Sequence, residues 1–201
     1  MRWFLALTAA VAAERLAELA WSRLHERRMA RRGGAVVREP AYAAMVAVHA
    51  GTLIAAPIEA WLRGGPSSPT LRALSYAGMG GLAAATALRI WTLRTLGDSW
   101  STRVTRFAGG GRRVVTDGPY RYIRHPNYVA VIIELASLPL VGGAVVTALA
   151  ASALNALVLS RRIPFEEREL GADPAWRAAM LPRPRFLPRL SRPSAPGLGS
   201  A

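Results

Sequence analysis

The chain alternates between long apolar runs and short segments crowded with arginine. The first run is "WFLALTAAVAAERLAELAW", about residues 3–21. The second is "AYAAMVAVHAGTLIAAPIEAWL", residues 41–62, and the third is "LRALSYAGMGGLAAATALRIWTL", residues 71–93. Each approaches the roughly 20 residues that a helix needs to cross a bilayer. Residues 128–160 are apolar as well, too long for one span and short for two. "LPLVGG" at 138–143 breaks that stretch, so the pattern predicts a tight hairpin of two helices, 127–139 and 143–162. The predicted fold is all-α: a polytopic membrane helix bundle of about five transmembrane helices. Gly78, Gly81 and Ala85 give the third helix small residues that allow close packing. Residues 94–127 are polar. There "WSTRVTRF" alternates like a short strand, and "AGGGRRVVTDGPY" reads as turns around an extended piece.

Composition sharpens this picture. Of 201 residues 52% are hydrophobic, yet the net charge is +14, and the two fit together only if apolar and basic segments alternate. Every basic residue is arginine. One group is Arg23, Arg27, Arg28, Arg31, Arg32 and Arg38; a second runs from Arg94 to Arg124; a third begins at Arg161. The opposite side carries Arg2, Arg63 and Arg72. That bias places the amino terminus outside and the two basic loops and the tail in the cytoplasm, as in a bacterial inner membrane. Arg2 before a short apolar core, with Ala10 and Ala12, also fits a signal peptide, but the helical Ala/Leu spacing runs past the supposed cleavage site. Nucleic-acid binding ranks last, because the arginines are spread over separate segments with little aromatic interleaving. With no cysteine there are no disulfides, thiolate nucleophiles or thiolate metal sites. His25, His49 and His125 are too scattered for a metal, and none is expected.

Two polar clusters flank the predicted hairpin, "GPYRYIRHPNY" at 118–128 and "RRIPFEEREL" at 161–170. A hairpin that leaves the cytoplasm and returns brings its ends together, so His125, Tyr128, Arg162, Glu166 and Glu167 would surround one cavity. Arg162 and Glu166, four apart, share a helical face. Pro164 marks a possible end of the span and start of a cytoplasmic helix. An acid, a cation and aromatic rings suit a zwitterionic ligand with a flat base, a description that includes S-adenosylmethionine. Read from the residues alone, the alternative of an interfacial ion pair with anchoring tyrosines is equally good.

"LGDSWSTRV", "VVTDGPYRYIRHPNYV" and "RRIPFEEREL", in that order, resemble the isoprenylcysteine carboxyl methyltransferase-like family of integral membrane methyltransferases. The resemblance covers about residues 95–189, including "PRPRFLP" at 182–188. It implies a single methyltransferase domain over 1–190, a disordered tail at 191–201, and an S-adenosylmethionine site at the cytoplasmic face. It further implies that Tyr120, His125, Pro126, Asn127, Tyr128, Glu166 and Glu167 help hold the cofactor, with Arg112, Arg113, Val114 and Val115 lining it. Arg162 would face the reacting oxygen of the substrate. The glycines at 109–111 open no helix in a G-x-G-x-x-G pattern, so this is no Rossmann site. "ERLAELAWSRLHERRMARRGGAVV" and "NYVAVIIELASLPLVGG" look like the bacterial branch that O-methylates alkylresorcinols and alkylpyrones. The expected partners are a lipophilic acceptor taken from the membrane and the bilayer lipids themselves.

Glu14, Glu18 and Glu134 fall in predicted spans, where an ionisable group is costly and a functional candidate. Glu14 and Glu18 lie one turn apart, and pairing with Arg15 or a loop arginine accounts for them. Glu134 either pairs with another helix or deprotonates the acceptor. A phenol, with a pKa of about 10, needs a base or a cation that stabilises its oxyanion. Glu134 and Arg162 are the candidates, both as catalytic and as substrate-binding residues. The competing functions are a lipid carboxyl or phospholipid amine methyltransferase on the same scaffold and, outside enzymes, a membrane lipid-binding scaffold.

Overall fold

The computed structural model describes residues 1–107 and 113–188. It is built of helices α1 (Arg2–Arg31), α2 (Tyr42–Leu62), α3 (Pro69–Leu96), α4 (Pro126–Val141), α5 (Val145–Leu170) and the short α6 (Pro174–Met180), with strands β1 (Gly34–Val36) and β2 (Thr105–Phe107). Each predicted apolar segment corresponds to one of the five long helices, the second starting one residue ahead of its helix and the last starting two residues ahead. Two of these, α2 and α5, are long and apolar enough to cross a membrane, and α4 is a shorter apolar helix. Arg112, the glycines at 109–111 and the tail from 189 lie outside the described residues.

Small residues set the closest helix contact. A Cβ on Gly78 would lie 2.9 Å from the Ser137 carbonyl oxygen, and one on Gly81 would collide with the Ser137 side chain. Ala85 is fully buried. These positions let α3 lie against α4, and Ser75 Oγ donates to the Val141 carbonyl at 2.7 Å. The turn between α4 and α5 uses Gly143 at φ 77°, a conformation that favours glycine. Glu59 of α2 caps α5 from outside: its carboxylate accepts from the backbone N–H groups of Val146 (3.1 Å) and Thr147 (2.7 Å), and from Thr147 Oγ1 at 2.7 Å. An acid at the positive end of a helix is favourable.

Two details differ from the sequence reading. α5 runs unbroken through Pro164 to Leu170, so no new helix begins there. An intact helix around it absorbs the lost N–H. The strand expected near "WSTRVTRF" is confined to Thr105–Phe107, and its antiparallel partner, Gly34–Val36, sits in what read as a plain basic loop. Arg113–Val115 forms neither helix nor strand. The segment 182–188 returns to the start of α4: the Arg124 N–H donates to the Pro184 carbonyl (2.9 Å) and the His125 N–H to that of Arg185 (3.1 Å). Phe186 packs beside Tyr128, Leu159 and Ile163.

Candidate active site

The hairpin of α4 and α5 does bring the two polar clusters together. Tyr128, in the first turn of α4, donates from its hydroxyl to Glu166 Oε2 on α5 and accepts from Arg162 Nε at 2.7 Å. Arg162 Nη2 donates to the Thr102 carbonyl at 2.6 Å, and Nη1 lies 3.1 Å from the Glu39 carboxylate. The guanidinium is thus held by three elements and is only 5% exposed. Burial raises the Glu39 carboxyl above its ordinary 4.5; Arg162 opposes the rise and Glu166 adds to it.

Glu167 faces another way. Its carboxylate contacts His125 Nε2 (3.0 Å), Arg124 (3.3 Å) and Arg185 (2.7 Å). It ties the returning segment to the start of α4.

One cavity of about 410 Å³ occupies the space beside these groups. Of the expected cofactor residues, Arg113, Val114, Val115, Tyr120, His125, Asn127, Tyr128 and Glu166 border it. Pro126, Arg162 and Glu167 stand behind that wall, and Arg112 lies outside the described residues. Trp176 and Met180 of α6, with Leu170 and Val104, form an apolar patch on the same cavity. The cavity continues along Leu16 and Leu19 of α1 and Val46, Ala50 and Leu53 of α2.

Glu134 does not border the cavity. Its carboxylate pairs with Arg89 Nη2 at 2.7 Å and is 4% exposed. Of the two roles open to it, the geometry gives pairing with another helix, so Glu134 is not positioned as the base. Arg15 bridges Glu14 (2.9 Å) and Glu18 (2.8 Å), and Arg89 reaches Glu18 at 3.4 Å. Buried charge is therefore matched across α1, α3 and α4, as the cost of burying an isolated charge demands.

Sequence reasoning missed Glu39, Arg89 and Asn155. Arg89 carries the same signal as the buried acids, an ionisable residue in an apolar run. Glu39 lies in a loop and gives no periodic signal. Asn155 is an amide within an apolar helix, 3% exposed, with Oδ1 buried and lacking a hydrogen-bond partner.

The arrangement is that of a membrane helix bundle with one cavity, polar at the start of α4 and apolar along α1 and α2. The description "Isoprenylcysteine carboxyl methyltransferase (ICMT) family" matches residues 77–172. YpbQ, an uncharacterized protein of Bacillus subtilis (strain 168), is 30% identical over 167 residues, which cover 83% of this chain and 96% of YpbQ. The eukaryotic intramembrane Ras methyltransferase ICMT, solved without a monobody, superposes with a TM-score of 0.54 at 20% identity. That likeness covers 71% of this chain but 50% of the solved one, so the chain spans about half the length of that structure. The chain belongs to the isoprenylcysteine carboxyl methyltransferase family, a family of membrane-embedded methyltransferases.

Methyltransferases of this family use S-adenosylmethionine, and the pocket has the chemistry to receive it. Asn127 Oδ1 is buried without a hydrogen-bond partner, an acceptor left for an ammonium or hydroxyl. Glu166 adds a carboxylate, and Trp176 with Met180 offers an apolar face for a flat base.

Proposed function

We propose that this chain is an S-adenosylmethionine-dependent membrane methyltransferase that O-methylates a lipidic phenol or enol such as an alkylresorcinol or alkylpyrone. The observation that carries the reading is the continuity of one cavity. It runs from the polar residues at the start of α4 to the apolar side chains of α1 and α2. Leu16 and Val46 border it and are also 66% and 39% exposed, on surface that faces lipid in a membrane. A hydrophobic acceptor would enter between α1 and α2 and present its oxygen to the pocket.

The cofactor supplies an electrophilic methyl group on a sulfonium. Asn127 and Glu166 would hold its polar end, Tyr120, Val114 and Trp176 its base, and His125 and Tyr128 the turn between. Arg162 fixes the Tyr128 hydroxyl and, through it, Glu166. It acts as a cation one hydrogen bond behind the pocket. Excluding water and aligning two bound reactants supplies much of the rate. The basic loops and tail face the cytoplasm of a bacterium and the amino terminus faces outward.

Calorimetry on detergent-purified protein tests this. S-adenosylmethionine should bind the wild type, and Glu166→Ala and His125→Ala should weaken binding at least tenfold, about 1.4 kcal/mol. Labelled methyl should then pass to alkylresorcinols or alkylpyrones in preference to prenylcysteines. Transfer to prenylcysteine alone would move the substrate to the carboxyl class, and no cofactor binding by folded protein would leave a lipid-binding scaffold.

A further inference from the structure

The cavity is bordered by two polar residues, His49 and Asn155, that the reading above does not use. His49 lies within α2, in an apolar run, and borders the cavity. Its Nδ1 is 2.8 Å from the Met45 carbonyl oxygen. A carbonyl only accepts, so Nδ1 carries the proton and Nε2 carries the lone pair. Among the described residues Nε2 has no hydrogen-bond partner. Asn155, on α5, borders the same cavity with its buried, unpartnered Oδ1. Val48, beside His49, packs against the cluster of Val131, Leu135 and Ala151, and Ala151 lies one turn before Asn155, so α2 and α5 both wall this part of the cavity.

The charged groups around His49 come from the other helices. Arg15 and Glu18 on α1 and Arg89 on α3 border the cavity with it, and Glu134 on α4 lies behind Arg89. They form a nearly balanced set joined by ion pairs. The carboxylates are occupied by guanidiniums, which leaves the imidazole as the free basic atom among them.

We propose that His49 is the general base of the reaction, and that Asn155 orients the acceptor's hydroxyl against it. This rests on the acceptor being a phenol or enol, as proposed above. The acceptor's O–H bond breaks toward Nε2 as its oxygen bonds to the methyl carbon. The pair of the C–S bond returns to the sulfur of the donor, and the imidazolium later releases its proton to water.

The test needs a readout that is independent of methyl transfer. A long-chain 4-alkyl-2-nitrophenol, whose phenolate absorbs in the visible, is titrated with pH against detergent-purified protein without methyl donor. Bound to the wild type, it should show phenolate absorbance below the pH at which it ionises in empty micelles, because His49 takes the proton. His49→Gln, and separately His49→Asn, should abolish that early absorbance while S-adenosylmethionine affinity, measured on the same samples, stays within about twofold and so reports an intact fold. In turnover with an alkylresorcinol, loss of the base should lower kcat by about 10²–10⁴-fold with KM little changed. The loss should be smaller with the more acidic nitrophenol. Coincident titration curves for wild type and His49→Gln, or no probe binding by folded wild type, would overturn the proposal. A His49-dependent titration with no methyl transfer to any phenol would instead sink the reading of function and leave the proton-accepting site standing.

Discussion

At the scale of single residues, the site is a set of charges that hold one another. Arg162 has three partners, and the guanidinium fork meets them in a way that a lysine point charge would not. Glu39 shows which effect dominates there. Burial raises its carboxyl above 4.5, and the neighbouring Arg162 only partly offsets the rise. The folded state therefore holds the proton to a higher pH than the unfolded chain does. The stability tied to that proton is complete below the unfolded value and is lost as pH rises through the raised one. Glu39→Gln, neutral throughout, should lack this loss. Its unfolding midpoint in detergent, relative to wild type, should rise over the pH range above the ordinary carboxyl value of 4.5. A relative midpoint that falls over that range would mean that the ion pair with Arg162 outweighs burial.

At the scale of elements, much depends on ends and turns. Glu59 satisfies the first turn of α5 from a neighbouring helix, away from the cavity. Glu59→Ala should cost about 0.5–2 kcal/mol, the usual range for a lost cap. Thermal unfolding in detergent should register that loss while cofactor affinity is unchanged; a matching fall in affinity would show that α5 carries strain from its outer end to Glu166. The elements themselves were largely legible in the sequence. Apolar runs gave the five long helices, "LPLVGG" the break between α4 and α5, and small residues the α3–α4 contact. The continuation of α5 through Pro164 was not legible, since a proline's effect depends on whether packing supports the helix on both sides. Nor was β1, because a three-residue strand of Gly34–Val36 has no period and exists only through pairing with β2. The polar clusters announced a site through their spacing. Which of their members would border the cavity depends on side-chain direction across the hairpin, and that separated Glu166 from its neighbour Glu167. His49 stands out as a lone imidazole in an apolar run, but its place beside the cavity depends on the helix packing.

At the scale of the whole molecule, arginine placement and exposed aromatics both fit the orientation proposed above. Trp3 opens α1 and Trp61 closes α2, both more than half exposed, at the end with few arginines. Trp91 and Tyr122 are similarly exposed toward the arginine-rich end. Aromatic side chains of this kind favour the two membrane–water interfaces. The chain has no cysteine, so a single introduced thiol reports its own side of the membrane without background. Ser67, Arg32 and Ala172 are exposed positions in three different connections. Ser67→Cys should react with an impermeant maleimide on intact cells. Arg32→Cys and Ala172→Cys should react only in inverted vesicles. Reaction of all three from one face would mean that α2, which separates Arg32 from Ser67, does not cross. The cavity, reached through the α1–α2 wall, would then open to water rather than to lipid, and a long-chain acceptor would lose its route to Asn155 and His49. The labelling pattern thus tests the orientation and, through it, the class of molecule that this pocket is able to receive.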